Sequence, residues 1–115
     1  MLTVYGIPNC DTMKKARKWL NDNNIEYEFH DYKKQGIDKK TLLAWEKKVG
    51  WEILLNRRGM MWRKLSDEQK ADIDKTSAIE IMQDMPSIIK RPVLINEEGY
   101  MLVGFKEDEY QQLLL

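Results

Sequence analysis

Met1-Leu2-Thr3-Val4-Tyr5-Gly6-Ile7-Pro8-Asn9-Cys10-Asp11-Thr12-Met13-Lys14-Lys15-Ala16 is the stretch whose reading decides the fold. Residues 2–5 alternate as a strand does, and Gly6-Ile7-Pro8-Asn9 interrupts them with turn residues. Asp11 and Thr12 are N-cap candidates for a helix running to about Asn23. Its periodicity puts Met13, Ala16 and Leu20 on one face and Lys14, Lys15 and Lys18 outward. Asn23-Asn24 ends the helix. Ile25, Tyr27 and Phe29 then alternate with Glu26, Glu28 and His30, which predicts a half-buried strand with His30 on its exposed side. This opening reads strand, helix, strand, and two parallel strands so joined need a right-handed crossover.

Further along, the middle of the chain is helical. Asp38 is placed to cap a helix carrying Leu42, Trp45 and Val49, which Gly50 closes. Ser66-Asp67-Glu68-Gln69 and Ser77-Ala78-Ile79-Glu80 both have the capping-box form, a hydroxyl followed three residues later by Gln or Glu. Pro86 stops the second of these helices. Val93-Leu94-Ile95 and Met101-Leu102-Val103 flank Asn96-Glu97-Glu98-Gly99, a turn short enough for a hairpin. A last helix from about Glu107 is expected to bury Tyr110, Leu113 and Leu114. The order predicts one α/β domain over residues 1–115. It has a mixed four-stranded sheet (β-α-β, then β-β-α) and a helical insertion at about residues 36–85.

At 115 residues the chain is long enough for one core and too short for two. A hydrophobic fraction of 43% with 33% charged residues belongs to a folded globular chain, not a disordered one. Nineteen basic and nineteen acidic residues give a formal net charge of +0, which argues against broad binding to nucleic acid or to anionic membranes. No apolar run approaches the roughly 20 residues of a membrane span, and the N-terminus lacks the basic region of a signal peptide. One cysteine and one histidine form neither an internal disulfide nor a zinc cluster. No metal is expected, and a reducing cytoplasm is the expected compartment. The seven methionines and four tryptophans fall at core-like spacing, which predicts packing roles for them.

Cys10 is the candidate nucleophile. A thiol attacks as thiolate, and a turn feeding a helix N-terminus supplies free N–H groups and the positive end of a dipole to an anion there. Pro8 and Asn9 stiffen the approach, and Thr12 helps shape the turn. Lys14 and Lys15 add positive charge one turn on, while the Asp11 carboxylate works against the thiolate. Met13 occupies the position three after Cys10, where CxxC redox proteins keep a resolving thiol. Thiol chemistry here therefore needs an outside thiol.

The motif Tyr5-Gly6-Ile7-Pro8-Asn9-Cys10-Asp11-Thr12-Met13-Lys14-Lys15-Ala16, with Lys90-Arg91-Pro92-Val93-Leu94 much later, resembles the ArsC family of arsenate reductases. Trp51-Glu52-Ile53-Leu54-Leu55-Asn56-Arg57-Arg58-Gly59 and Trp62-Arg63-Lys64-Leu65 resemble its YffB-like branch, related to Spx. The resemblance spans nearly the whole chain and implies a thioredoxin-like fold with a helical insertion. It implies that Cys10 attacks the substrate and that arginines hold an anion. Arg91 matches one of these, Arg57 or Arg58 a second, and Pro92 a cis proline beside the active cysteine. It further implies a glutathione-dependent thiol reductase, an oxidoreductase acting with glutathione as co-substrate on a small thiol or oxidised thiol; a monomer is expected. Two alternatives come with the resemblance: an Spx-like regulatory module that contacts RNA polymerase, and an arsenate reductase. The family's third arginine has no counterpart in Val103-Gly104-Phe105-Lys106, and Gly6 stands where some arsenate reductases carry histidine. Both departures weigh against arsenate. Met13 breaks the CxxC switch that Spx proteins generally carry.

Overall fold

A computed structural model describes residues 1–115. In chain order its elements are β1 (Leu2–Gly6), α1 (Asp11–Asp22), β2 (Tyr27–Asp31), α2 (Tyr32–Gln35), α3 (Lys39–Val49), α4 (Trp51–Leu54) and α5 (Met60–Arg63). There follow α6 (Asp67–Ala71), α7 (Lys75–Asp84), a 3-10 turn (Pro86–Ile88), β3 (Val93–Ile95), β4 (Met101–Val103) and α8 (Glu107–Leu114). These form two compact units, one of Met1–Gln35 with Arg91–Leu115 and the other Gly36–Lys90.

The first unit is built on a four-stranded sheet in the order β2-β1-β3-β4. β1 pairs with β2 in parallel, Val4 opposite Phe29, and with β3 antiparallel, Val4 opposite Leu94. β3 and β4 form the expected hairpin, Leu94 opposite Leu102. The sheet is therefore mixed, and the fold is thioredoxin-like with helices inserted between β2 and β3.

Because side chains alternate across a strand, Leu2 and Val4 share one face of β1. There they pack with Met13, Ala16, Trp19 and Leu20 of α1, with Leu94 and with Tyr110 of α8. Tyr110 is met edge-on by Trp19 (centroids 5.6 Å apart) and by Phe105 (4.8 Å), and its hydroxyl donates to the Gly104 carbonyl. Leu113 and Leu114 join the same cluster only half-buried. On the sheet's edge, Arg17 stacks 4.7 Å over Phe29 and its Nε donates to the Tyr27 hydroxyl at 3.0 Å, fastening α1 to β2.

Gly6 closes β1 on this face. A methyl group at its Cα would land on Met13 Sδ, 2.8 Å from Cε and 3.3 Å from Cγ, and Met13 is fully buried. The absence of a side chain at residue 6 thus lets the first turn of α1 settle against the end of β1.

Several local expectations are corrected. The α1 cap is Cys10, in extended geometry (φ −126°, ψ 132°), and Asp11 is already helical. β2 starts at Tyr27, not Ile25, because α1 unwinds through Asn23 to Asn24, whose φ of 56° reverses the chain. His30 is half-buried, not exposed, since its ring lies 4.8 Å from that of Tyr5 and 5.9 Å from that of Tyr32. Met1 and Met60 are exposed, outside any core.

In the second unit, Asp38 caps α3 by accepting from Thr41 N–H at 2.7 Å, and Gly50 follows the helix with φ 87°, a left-handed value that suits glycine. Ser66 and Gln69 form the predicted capping box at α6. At α7 the box is instead Asp74 with Ser77: the carboxylate accepts from Ser77 N–H and the Ser77 hydroxyl accepts from Asp74 N–H, both at 2.9 Å. Ser77 is therefore three residues inside the box whose cap it was expected to be. Pro86 ends α7 as expected and opens the 3-10 turn. A bridge between Leu55 and Ile89, flanked by Asn56 N–H to Ile88 O and Lys90 N–H to Leu54 O, carries the unit's end to Lys90, past residue 85. No helix is long and apolar enough to cross a membrane.

Candidate active site

Cys10 sits where β1 hands the chain to α1, its side chain half-buried. Burial pushes the thiol up, but more is set against it: the backbone N–H of Met13, the Arg91 side chain as a hydrogen-bond donor, the N–H of Thr12 and the charge of Arg91. The net result holds Cys10 below the ordinary thiol value. The sulfur makes no formal capping bond, so the two amides act as convergent dipoles at a helix N-terminus and not as a cap in the Ser or Asp sense. Lowered titration raises the fraction of attacking thiolate at neutral pH.

Of the expected site residues, the first unit gathers Cys10, Thr12, Arg91 and Pro92. Thr12 contributes its amide, not its hydroxyl. Arg91 reaches the site through strand pairing. Val93 lies opposite Tyr5, so the two residues before it reach the end of β1 from which Cys10 departs. The Arg91–Pro92 peptide is cis, and Pro92 is buried with its carbonyl accepting from Gly104 N–H at 2.8 Å. Asn9 is exposed, in the turn between β1 and α1. Lys14, Lys15 and Asp11 are exposed, and the cation acting on the sulfur is Arg91.

Gly6 and Met13 prove to be one feature. The thioether fills the space that a side chain at residue 6 would need, so a side chain at 6 and methionine at 13 exclude each other in this packing.

Arg57 and Arg58 belong to the second unit, in the loop between α4 and α5, and the structure separates their roles. The Arg57 guanidinium lies 5.4 Å from the Trp51 ring centroid and 5.7 Å from that of Trp62, held by two indoles. Lys70 approaches Trp62 as well, at 5.8 Å. Arg58 is anchored through its backbone, whose N–H donates to Asn56 Oδ1 at 3.1 Å, and its exposed guanidinium has no partner.

A residue the sequence reading passed over is Tyr32. It follows β2 directly, at the carboxyl end of a parallel strand pair, the end of an α/β sheet where ligands collect. That position was the available signal. A separate groove of about 690 Å³, lined by Arg17, Asn21, Asn24, Tyr27 and Phe29 among others, does not include Cys10. No group of three or more His, Cys, Asp or Glu side chains is placed to hold a metal ion.

Comparison with known proteins places this geometry. The model of the ArsC family matches residues 5–113. An uncharacterised protein of Haemophilus influenzae is 48% identical over 111 residues, covering 96% of each chain. The global transcriptional regulator Spx of Streptococcus agalactiae is 28% identical over 116 residues, 99% of this chain and 83% of that one. The solved structure of a protein called YffB is 51% identical, with a TM-score of 0.95 and full coverage of both chains.

Proposed function

We propose that this chain, which belongs to the ArsC family, is a glutathione-dependent thiol reductase whose single nucleophile is Cys10. The observation that carries the reading is a cysteine with lowered titration, served by two helix amides and Arg91, with no second cysteine anywhere in the chain. The Cys10 thiolate attacks the glutathione sulfur of a mixed disulfide. A Cys10–glutathione disulfide forms, and the substrate leaves as a thiolate that takes a proton from water. A second glutathione thiolate then attacks the glutathione sulfur of that adduct, releasing Cys10 as thiolate and oxidised glutathione. The substrate gains two electrons and two glutathione molecules are joined as a disulfide.

In this scheme Arg91 stabilises the thiolate both as attacking and as leaving group. Of the second unit's arginine pair, Arg58 is the one whose guanidinium is free to bind a carboxylate, since Arg57 is occupied by its two tryptophans. Pro92 holds Arg91 at the strand end, and the chain works as one domain in a reducing cytoplasm. Turnover of a glutathione mixed disulfide, coupled to glutathione reductase, tests the reading. Activity that Cys10→Ser abolishes supports it, and no turnover in the native chain sinks it.

Similarity to Spx over 99% of the chain favours a second reading, a regulatory module that contacts RNA polymerase. Capture of RNA polymerase by this chain, together with absent turnover, would put that reading first. Arsenate reduction is the third, and arsenate resistance unchanged by Cys10→Ser in cells removes it.

A further inference from the structure

Tyr32 is a buried polar group that the chemistry above leaves unused. Its residue is 4% exposed, and its hydroxyl is closed to solvent with no hydrogen-bond partner. The ring is held by Tyr5, at 6.4 Å and 28° from parallel, and by the edge contact with His30. Strand register fixes where it stands. Gly6 lies opposite Asp31, so Tyr32 is level with the point at which the chain leaves β1 for Cys10. Arg91 arrives at the same end of β1 from its other side. The charge of Arg91 bears on the Cys10 sulfur and on the Tyr32 hydroxyl alike.

Phenylalanine would fill this space without stripping a donor of water, so the hydroxyl costs the chain stability. Burial holds the phenol far above its ordinary value, and what it offers is an O–H donor across the whole working pH range. A donor kept at a cost, in the field of the half-buried Arg91 cation that also acts on Cys10, calls for an acceptor that arrives with the ligand.

We propose that the Tyr32 hydroxyl is a binding group of the Cys10 site, donating to an anionic ligand oxygen, of a carboxylate or a small oxyanion, that Arg91 holds. The inference rests on reading Cys10 and Arg91 as one site. The hydroxyl is closed to water in the free chain, and the contact forms as the ligand reaches the Arg91 guanidinium.

The test is protection of Cys10 from iodoacetamide, each variant normalised to its own probe-free rate. The probes are inorganic phosphate, S-methylglutathione and the diethyl ester of S-methylglutathione. Tyr32→Phe should melt at a higher temperature than the native chain and need roughly tenfold to a hundredfold more probe, as for loss of one hydrogen bond to a charged group. Protection by S-methylglutathione but not by its ester assigns the oxygen to a carboxylate, and protection by phosphate alone assigns it to a free oxyanion. Either supports the proposal. Equal protection in Tyr32→Phe overturns it. So does a lower melting temperature, which means that the hydroxyl is already satisfied within the chain, and so does failure of every probe to protect the native chain. Arg91→Ala separates this from the underlying reading. If it loses protection while Tyr32→Phe keeps it, only Tyr32 leaves the site; if both keep it, the Cys10–Arg91 site falls as well.

Discussion

Replacing Gly6 with alanine tests whether the end of β1 and the first turn of α1 form one packed unit that sets Cys10. The new methyl would fall on the sulfur of Met13 and 2.8 Å from its terminal carbon, well inside contact distance, at a side chain with no exposed surface to retreat into. Overpacking of this kind costs about 2 kcal/mol, or on the order of 10 °C in melting temperature for a chain of this size. Met13→Ala empties the same space and costs about 3 kcal/mol by cavity formation. In the double variant the alanine methyl at residue 6 occupies part of that cavity. The two changes together should therefore cost less than their sum, by ~1–2 kcal/mol. Urea denaturation of the four proteins in the cycle measures this. Because the amides of Thr12 and Met13 act on the sulfur, Gly6→Ala should also alkylate at Cys10 more slowly at neutral pH. A neutral Gly6→Ala, or a cycle additive to within roughly 0.5 kcal/mol, would refute the packing argument.

Other outcomes follow from the same geometry. Arg57→Ala should lower stability by about 1 kcal/mol, having lost two cation–π contacts, with little change in KM. Arg58→Ala, which removes an exposed guanidinium without a partner, should leave the melting temperature unchanged, so a thermal scan separates the pair. Ser66→Ala removes one arm of the α6 capping box and should cost about 1 kcal/mol by urea midpoint. Cys10 titrates lower in the folded chain than in the unfolded one. Its thiolate therefore adds stability that is full above the unfolded value of about 8.5 and is lost as pH falls through the depressed folded value. The stability gap between the native chain and Cys10→Ser should widen as pH rises across that window, read from urea midpoints at several pH values.

The sheet was readable from residue pattern because each signal was local. Alternation in β1 and the Asn96–Gly99 turn between two apolar triplets require only neighbours in sequence, and the family motifs around Cys10 and Arg91 added the topology. What escaped reading depends on contacts made at a distance or on choices between adjacent residues. Asp74 and Ser77 both satisfy a capping rule, and only the reciprocal bonds show which one starts α7. Cys10 was not read as a cap, because its sulfur is a poor acceptor beside Asp11 and Thr12, yet the strand end places it there. The outward phase of β2 made His30 look solvated, whereas the rings of Tyr5 and Tyr32 enclose it. Arg57 and Arg58 are indistinguishable as letters and differ only in which one the indoles hold.

The most direct test of the account is the rate of Cys10 alkylation across pH in the native chain and in Arg91→Gln. The native thiol should titrate below the ordinary value of about 8.5, and Arg91→Gln should move the profile to higher pH, since it removes the donor and the charge that act on the sulfur. A native profile at or above the ordinary value, or one that Arg91→Gln leaves in place, would contradict the claim that Cys10 and Arg91 form a working nucleophilic site.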